Sequence, residues 1–201
     1  MKKFFSTMAL VLAMTTGLLA QNNFGIRAGY NLANQFVREG DHSATTKVAS
    51  RFHVTGYYDV RVSPGFSIQP GLSLEGKGAK SKIPEGTFID KFLYLQVPVN
   101  FLGRVETRSG DFFYGGGPYL AYGVSAKVTS GRQGIDINWG SGVDELNPFD
   151  LGLGAMLGYR FMNGFVLSAS STAGLINISN TSTKYLNRVT SISVGYEFGR
   201  K

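Results

Sequence analysis

The sequence predicts an all-β fold, an eight-stranded antiparallel up-and-down transmembrane β-barrel. Two observations lead to this prediction. Eight segments alternate apolar and polar residues with a period of two, and the connections between them alternate between short and long. The composition agrees, because only 16% of the 201 residues are charged and the 27 glycines show neither a collagen period nor the proline content of a disordered chain.

The first 20 residues have the features of a secretory signal peptide. Two lysines precede an apolar run at residues 4–19, and the small residue Ala20 stands at the expected cleavage position. The run is shorter than the roughly 20 residues that a spanning helix needs. We therefore expect a signal peptide at residues 1–20 and a single β-barrel domain at residues 21–201.

The predicted strands follow one rule, since successive side chains of a strand point to opposite faces. The segments lie at residues 24–32, 51–62, 66–77, 93–106, 112–127, 149–161, 165–175 and 191–198. The first has Phe, Ile, Ala, Tyr and Leu at its even positions. The second is the clearest, because its even positions are apolar, tyrosine or glycine while its odd positions include two arginines, a histidine and an aspartate.

The remaining segments repeat this pattern with different polar faces. The third and fourth oppose aliphatic residues to Gln, Glu, Lys, Asn and Arg, and the fifth and sixth oppose large apolar residues mainly to glycines and single charges. The seventh and eighth are weaker, with serines and threonines on the polar face. We expect the apolar faces to meet lipid and the polar faces to line the lumen.

The turns and loops that connect the predicted strands indicate how the barrel is oriented in the membrane. Short turns are predicted at residues 63–65, 107–110 and 162–164. Longer polar loops are predicted at residues 37–48, 78–90, 129–147 and 178–186. Outer-membrane barrels have this asymmetry, with short periplasmic turns, long extracellular loops and both termini in the periplasm. We therefore expect the outer membrane of a Gram-negative cell envelope, with periplasmic termini.

An eight-stranded lumen is about wide enough for its own side chains, so we expect a filled interior without a wide pore. The predicted lumen charge network comprises Arg27, Arg51, Asp59, Arg61, Glu75, Lys77, Arg104, Glu106, Lys127, Asp150, Arg160 and Glu197. We interpret these charges as mutually neutralising, because buried charges need partners. The alternative is a path for protons or ions. Inward glycines such as Gly152 and Gly158 are expected to make room for larger side chains.

No catalytic residue, cofactor site or metal site is predicted, and the protein is interpreted as not an enzyme. The chain has no Cys, which excludes thiolate zinc sites and a Cys nucleophile. His42 and His53 are its two histidines, and no Gly-x-Ser-x-Gly motif accompanies them. We interpret His53 as a hydrogen-bonding residue of the lumen. A lipid-modifying enzyme that uses His53 with a loop serine is the alternative.

The longest predicted loop contains an alternating apolar motif, Ile135, Ile137 and Trp139. This motif predicts that a hairpin extends beyond the membrane as an exposed edge for a partner. The basic residues are scattered, so no nucleic-acid partner is expected. Loop cations are expected near lipopolysaccharide phosphates; they are Lys47, Lys80, Lys82, Arg132 and Lys184.

Several motifs resemble the PorT-type outer-membrane β-barrel domain. They are FGIRAGYNL at 24–32, SIQPGL at 67–72 leading to KG at 77–78, YLQVP at 94–98, GGPY at 116–119 and VGYEF at 194–198. The resemblance spans nearly the whole mature chain and implies that prolines are tolerated at positions 70, 98 and 118. It leaves the strand register near these prolines open. One departure is that Gly199, Arg200 and Lys201 follow Phe198, whereas a barrel-assembly signal usually ends on the aromatic residue.

The resemblance also bears on function, because the namesake of the family takes part in type IX secretion of surface proteins. We expect a non-enzymatic integral outer-membrane barrel with a structural or accessory role, and the resemblance implies a link to surface-protein secretion. A small gated channel is the main alternative. The expected partners are outer-membrane lipid and lipopolysaccharide, the barrel-assembly machinery, and secretion or envelope proteins.

Overall fold

The computed structural model describes residues 23–84, 86–131 and 133–198. These residues form eleven strands: β1 (Asn23–Glu39), β2 (His42–Thr45), β3 (Ala49–Ser63), β4 (Phe66–Lys77), β5 (Lys80–Ile83), β6 (Gly86–Thr107), β7 (Gly110–Ser130), β8 (Gln133–Asp136), β9 (Phe149–Phe161), β10 (Phe165–Gly174) and β11 (Lys184–Phe198). In the same residues, no helix is long and apolar enough to cross a membrane. The expected signal peptide and the C-terminal residues 199–201 lie outside the described residues.

Eight of the strands close into a ring. Antiparallel pairing runs through β1, β3, β4, β6, β7, β9, β10 and β11 in that order. Strand β11 then pairs with β1, from Phe198 opposite Phe24 to Lys184 opposite Arg38. The predicted eight-stranded antiparallel up-and-down barrel is confirmed. A closed wall has no free edge, so its backbone groups bond to neighbouring strands without water.

The two ends of the ring differ. Short turns at residues 64–65, 108–109 and 162–164 join β3 to β4, β6 to β7 and β9 to β10. Gly164 has a φ of 87°, a conformation that favours glycine, at the last of these turns. The start of β1 and the end of β11 lie at this end, which we call the turn end. The opposite end is the loop end.

Three of the four long connections at the loop end contain additional strands. Strand β2 pairs with the end of β1, β5 pairs with the start of β6, and β8 pairs with the end of β7. The sequence placed these segments in loops, because polar residues obscure the alternation there. The sheet therefore continues past the eight predicted segments at the loop end.

The apolar faces of the barrel wall point outward. Along β1, Phe24, Ile26 and Leu32 are 40 to 45% exposed, whereas Arg27 and Asn31 are at most 7% exposed. Equivalent exposed apolar residues surround the barrel on the other strands. A contiguous apolar surface of this extent exceeds what soluble monomers expose. The wall therefore requires a hydrocarbon environment, and the polar faces line the lumen.

The register is continuous through the three strand prolines. On either side of Pro70, Tyr57 pairs with Gly71 and Val60 pairs with Ile68 in one register. Pro98 and Pro118 likewise interrupt bridges without shifting the register of β6. Proline lacks an N–H and cannot donate to the ladder, which explains the interruptions.

A β-bulge near the loop end changes which side chains of β7 point into the lumen. Leu93 pairs with Ser125, but the next residue of β6, Tyr94, pairs with Gly123, so Val124 is an additional residue. Beyond the bulge Ala126 is buried and Lys127 points outward. The prediction that Lys127 faces the lumen is therefore wrong, because the extra residue shifts the alternation by one position.

Candidate functional site

At the turn end, the lumen contains a cluster of ion pairs, which we call the turn-end cluster. Its members are Asp59, Arg61, Arg104, Glu106, Asp111, Arg160 and Glu197. The Asp111 carboxylate accepts hydrogen bonds from Arg61 and Arg160, and Arg104 lies 3.7 Å from the same oxygen. Arg104 also donates to Asp59. These contacts provide the opposite charges that buried ions require.

Asp111 is the centre of this cluster and is not among the predicted lumen charges. The residue directly follows a predicted turn, and the predicted alternating segment begins only at Phe112. The available signal was its alternation with the outward Phe112, which places position 111 inside. Glu106 is among the predicted lumen charges, but its side chain is 54% exposed at the rim, where it lies 3.2 Å from Arg61.

An apolar layer follows the turn-end cluster along the lumen. It consists of Leu102, Phe113, Met156 and Val166, which are all buried. The sequence did not predict this layer, because these residues occupy positions on otherwise polar faces. The Phe113 ring lies over Gly158, and the Tyr119 ring over Gly152, where neither glycine has space for a Cβ atom. The inward glycines therefore accommodate large rings.

The middle of the lumen contains a polar relay. The Ser193 hydroxyl lies 3.1 Å from His53 Nε2, and His53 Nδ1 lies 2.6 Å from Asn31 Oδ1. The Asn31 amide nitrogen donates to Glu75 at 2.6 Å, which fixes its oxygen toward His53. Because that oxygen accepts only, Nδ1 carries the proton and Nε2 accepts from Ser193. A cavity of about 60 Å³ adjoins the relay, enough for a few water molecules.

Arg27 borders the same cavity and differs from the other buried cations. Its guanidinium lies 4.5 Å from the centre of the Tyr57 ring, and Nη1 is 3.9 Å from the Met156 sulfur. Within the described residues, no carboxylate oxygen lies within 4.0 Å of it. The ring face therefore provides its nearest electrostatic partner.

Toward the loop end, a buried ion pair crosses the lumen. Lys77 Nζ lies 3.0 Å from Asp150 Oδ2, and the same oxygen accepts a hydrogen bond from Asn187 at 2.9 Å. Lys77 Nζ also lies 4.1 Å from the centre of the Tyr119 ring. The Tyr119 hydroxyl donates to Asp150 at 3.3 Å. Both charges are thus fully partnered.

An aromatic cap covers this pair. Its buried residues are Phe92, Tyr94, Tyr119, Ala121, Ala126 and Ile178, and Ile137, Trp139, Leu146 and Tyr185 pack against them. The Trp139 ring meets the Tyr94 ring edge-on, with centroids 5.3 Å apart. Asn180 holds the overlying loops together, because its side-chain nitrogen lies 2.9 to 3.1 Å from the carbonyl oxygens of Gly140, Gly142 and Glu145.

The cap changes the interpretation of the alternating motif in the longest loop. Ile135, in β8, is 74% exposed. Ile137 and Trp139 instead pack into the cap. The prediction of one exposed edge is wrong for these two residues, because β8 ends at Asp136 and the following chain folds over the lumen. A partner role for Ile135 stays a prediction.

The other predicted lumen charges fall into two groups. Eight are buried inside the barrel: Arg27, Asp59, Glu75, Lys77, Arg104, Asp150, Arg160 and Glu197. Arg51 and Arg61 are half-buried near opposite ends, and Arg51 donates to the backbone oxygens of Lys77 and Asp90. In the described part of the chain, no group of three His, Cys, Asp or Glu residues could hold a metal ion.

Comparison with known protein families identifies the class of protein to which this chain belongs. The sequence model of the family described as outer membrane protein beta-barrel domain matches residues 19–180. The chain belongs to this family and is an outer-membrane β-barrel protein, so its apolar belt faces the lipid of the outer membrane. No curated protein sequence matches the chain.

Several solved structures are similar to this chain. Ail, the attachment invasion locus protein of Yersinia pestis, has a TM-score of 0.47 and 16% identity, covering 88% of this chain and 99% of that one. Neisserial surface protein A has a TM-score of 0.47 and 17% identity, with 87% and 97% covered. OprG from Pseudomonas aeruginosa has a TM-score of 0.38 and 15% identity, with 89% and 97% covered.

Proposed function

We propose that this protein is a non-enzymatic outer-membrane barrel with a closed lumen, which acts through its two ends as a structural or accessory component. The observation that supports this proposal is the layered lumen. The turn-end cluster, the apolar layer, the Lys77–Asp150 pair and the aromatic cap occupy successive levels of the lumen. We place the turn end in the periplasm and the loop end outside the cell, as in other barrels of this kind.

Conductance in planar lipid bilayers tests the closed lumen. The proposal predicts no discrete current steps from the purified full-length protein. A small gated channel is the alternative, and it predicts discrete steps that change when Arg61→Ala or Glu75→Ala removes a lumen charge. Reproducible steps in the wild-type protein would overturn the closed-lumen proposal.

Strand β8 supports an accessory role at the loop end. It pairs with β7 on one side, and all four of its residues are exposed. An unpaired strand edge is suited to adding a strand from a partner. Cross-linking in the native membrane, followed by identification of co-purified proteins, tests this role. We expect Ile135→Lys to reduce recovery, whereas Val143→Lys, at an equally exposed position of 74%, should not.

The resemblance to PorT-type domains supports a more specific role in surface-protein secretion. Recovery of secretion-machinery components in the cross-linking experiment would support this role and direct mutagenesis to the loops and turns. Recovery of the barrel-assembly machinery and lipopolysaccharide without secretion components would overturn it. The barrel would then be self-contained.

A hydrolytic or lipid-modifying activity is the second candidate, and the Ser193–His53–Asn31 relay favours it. A nucleophile, a base and a group that orients the base share this connectivity in serine hydrolases. The adjoining cavity of about 60 Å³ is far smaller than a lipid, which favours the non-enzymatic proposal. Labelling with a fluorophosphonate distinguishes the two. Labelling that disappears in Ser193→Ala would support catalysis, and no labelling of the folded wild-type protein would exclude it.

A further inference from the structure

Three pairs of cations lie directly opposite each other on neighbouring strands at the loop end. Arg38 faces Lys184 across β1 and β11, and Lys91 faces Lys127 across β6 and β7. Lys47 faces Lys80, the first residue of β5, in an isolated antiparallel bridge. We call these six residues the cation collar. Each pair joins different strands, so the collar extends around more than one side of the barrel.

The Lys91–Lys127 pair lies on the outer face of the barrel, beyond the exposed apolar residues of the wall. Lys91 is two residues from Leu93 and four from Leu95, so the three side chains share the outward face. Leu95 is 41% exposed on the lipid-facing wall. Each residue of a strand rises about 3.4 Å, which places Lys91 about 7 Å beyond Leu93. Residues that pair directly across strands share a face, so Lys127 points outward beside Lys91.

The collar carries repulsion that the protein leaves largely uncompensated. Like charges directly opposite each other destabilise a sheet. Among the described residues, Asp136 is the one carboxylate that forms an ion pair with a collar residue, at 3.1 Å from Lys127. That pair is exposed, with 77% of the Asp136 side chain accessible, so water and salt screen it. An external anion would relieve the repulsion.

We propose that the cation collar binds the phosphate groups of the outer-leaflet glycolipid, lipid A. The proposal rests on the orientation given above, in which the loop end faces outside the cell. Lysine ammonium groups are effective phosphate ligands. The Lys91–Lys127 pair, just beyond the exposed apolar residues of the wall, lies at the depth of lipid headgroups. The acyl chains of the same lipid would contact those apolar residues. Three of the loop cations expected near lipopolysaccharide phosphates belong to this site, namely Lys47, Lys80 and Lys184.

Lipid retention in nanodiscs tests the proposal. The purified full-length barrel is placed in phosphatidylcholine nanodiscs containing phosphorylated lipid A, dephosphorylated lipid A or phosphatidylglycerol, and retained lipid is measured by mass spectrometry. We expect preferential retention of phosphorylated lipid A. Lys91→Gln should lower that retention about fivefold, following the attraction of one surface lysine to an anionic membrane. Replacing one residue of each pair, in K80Q/K91Q/K184Q, should lower it further.

A matched control is Arg108→Gln, which removes one exposed charge at the turn end and should leave retention unchanged. Folding of each variant is checked by the heat-dependent gel shift of the barrel. Equal retention of phosphorylated and dephosphorylated lipid A would overturn the proposal. Phosphatidylglycerol retained as strongly as lipid A would also overturn it, because attraction would then depend on charge without regard to the glycolipid.

Labelling of intact cells separates this proposal from the orientation on which it rests. A membrane-impermeant amine reagent should modify collar lysines if the loop end faces outside the cell. Absence of labelling in a folded barrel would overturn the orientation, and with it the assignment of the collar to the outer leaflet. Labelled lysines combined with unaltered lipid retention in the triple variant would overturn the collar proposal alone.

Discussion

Lys77 Nζ lies 3.0 Å from Asp150 Oδ2, and the two residues join β4 and β9 across the lumen. Both side chains are at most 1% exposed. Asn187 and Tyr119 donate further hydrogen bonds to the same carboxylate. The pair therefore satisfies two charges that would otherwise be buried without compensation, directly beneath the aromatic cap.

Removing one member of this pair should destabilise the barrel. We expect Lys77→Ala to lower the free energy of unfolding by about 3–5 kcal/mol, because it leaves the Asp150 charge buried and unpaired. Replacing both residues, in K77M/D150L, should restore much of the loss. Urea unfolding followed by Trp139 fluorescence measures the effect, since Trp139 is the single tryptophan and lies in the cap.

Lys127→Gln is the control for Lys77→Ala. Both residues were predicted in the lumen, but Lys127 points outward and pairs with an exposed carboxylate. We therefore expect no measurable change in its unfolding curve. If Lys127→Gln lowered the free energy of unfolding as much as Lys77→Ala, the conclusion that the bulge in β7 turns Lys127 outward would be contradicted.

The turn-end cluster should depend on Asp111 more than on any exposed acid. Asp111→Asn removes the negative charge shared by Arg61 and Arg160, and we expect a loss of about 3–5 kcal/mol in unfolding free energy. Asp136→Asn, which affects an exposed pair, serves as the control. Urea midpoints at constant salt provide the comparison. Equal midpoints for the two variants would show that the cluster is not a stability element.

Two glycines of neighbouring strands should respond differently to the same substitution. A Cβ atom at Gly25 would overlap the Tyr57 ring inside the barrel, whereas one at Gly56, on the outer face, would lie 3.8 Å from Phe24. We expect Gly25→Ala to cost about 1–3 kcal/mol through overpacking. Gly56→Ala should be tolerated. The temperatures at which the folded form is lost on gels test this contrast, and similar temperatures would refute it.

The aromatic cap should protect the loops from proteolysis, but it should not be the only layer that closes the lumen. Trp139→Ala removes the ring that packs against Phe92 and Tyr94. We expect faster proteolysis of residues 138–147, measured as the rate of cleavage of the folded barrel. Conductance should stay absent, because the Lys77–Asp150 pair and the turn-end cluster remain. Discrete current in this variant would identify the cap as the sole gate.

The wall of the barrel was largely predictable because alternation is a local property. The segment at residues 51–62 displays an apolar face and a charged face without reference to any other strand, and the spacing of turns and loops indicates an up-and-down order. Extensions such as β2 and β5 were not predicted, because their pairing partners, rather than their own composition, make them strands.

The contacts inside the lumen required the tertiary structure. Position 111 could be assigned to a face by alternation, but its three arginine neighbours come from β3, β6 and β9. The Ser193–His53 contact joins residues 140 positions apart. No local pattern reports such distances, because ring closure and strand register determine them.

The sequence by itself determined that this protein is an eight-stranded barrel with apolar residues outside and charges inside, because side-chain alternation and turn spacing are encoded residue by residue. Only the tertiary structure decided which charges meet, that the bulge at Val124 turns Lys127 outward, and that Trp139 folds over the lumen. These features depend on contacts between distant strands. The cation collar has the same origin, since its opposed pairs exist only in the assembled sheet.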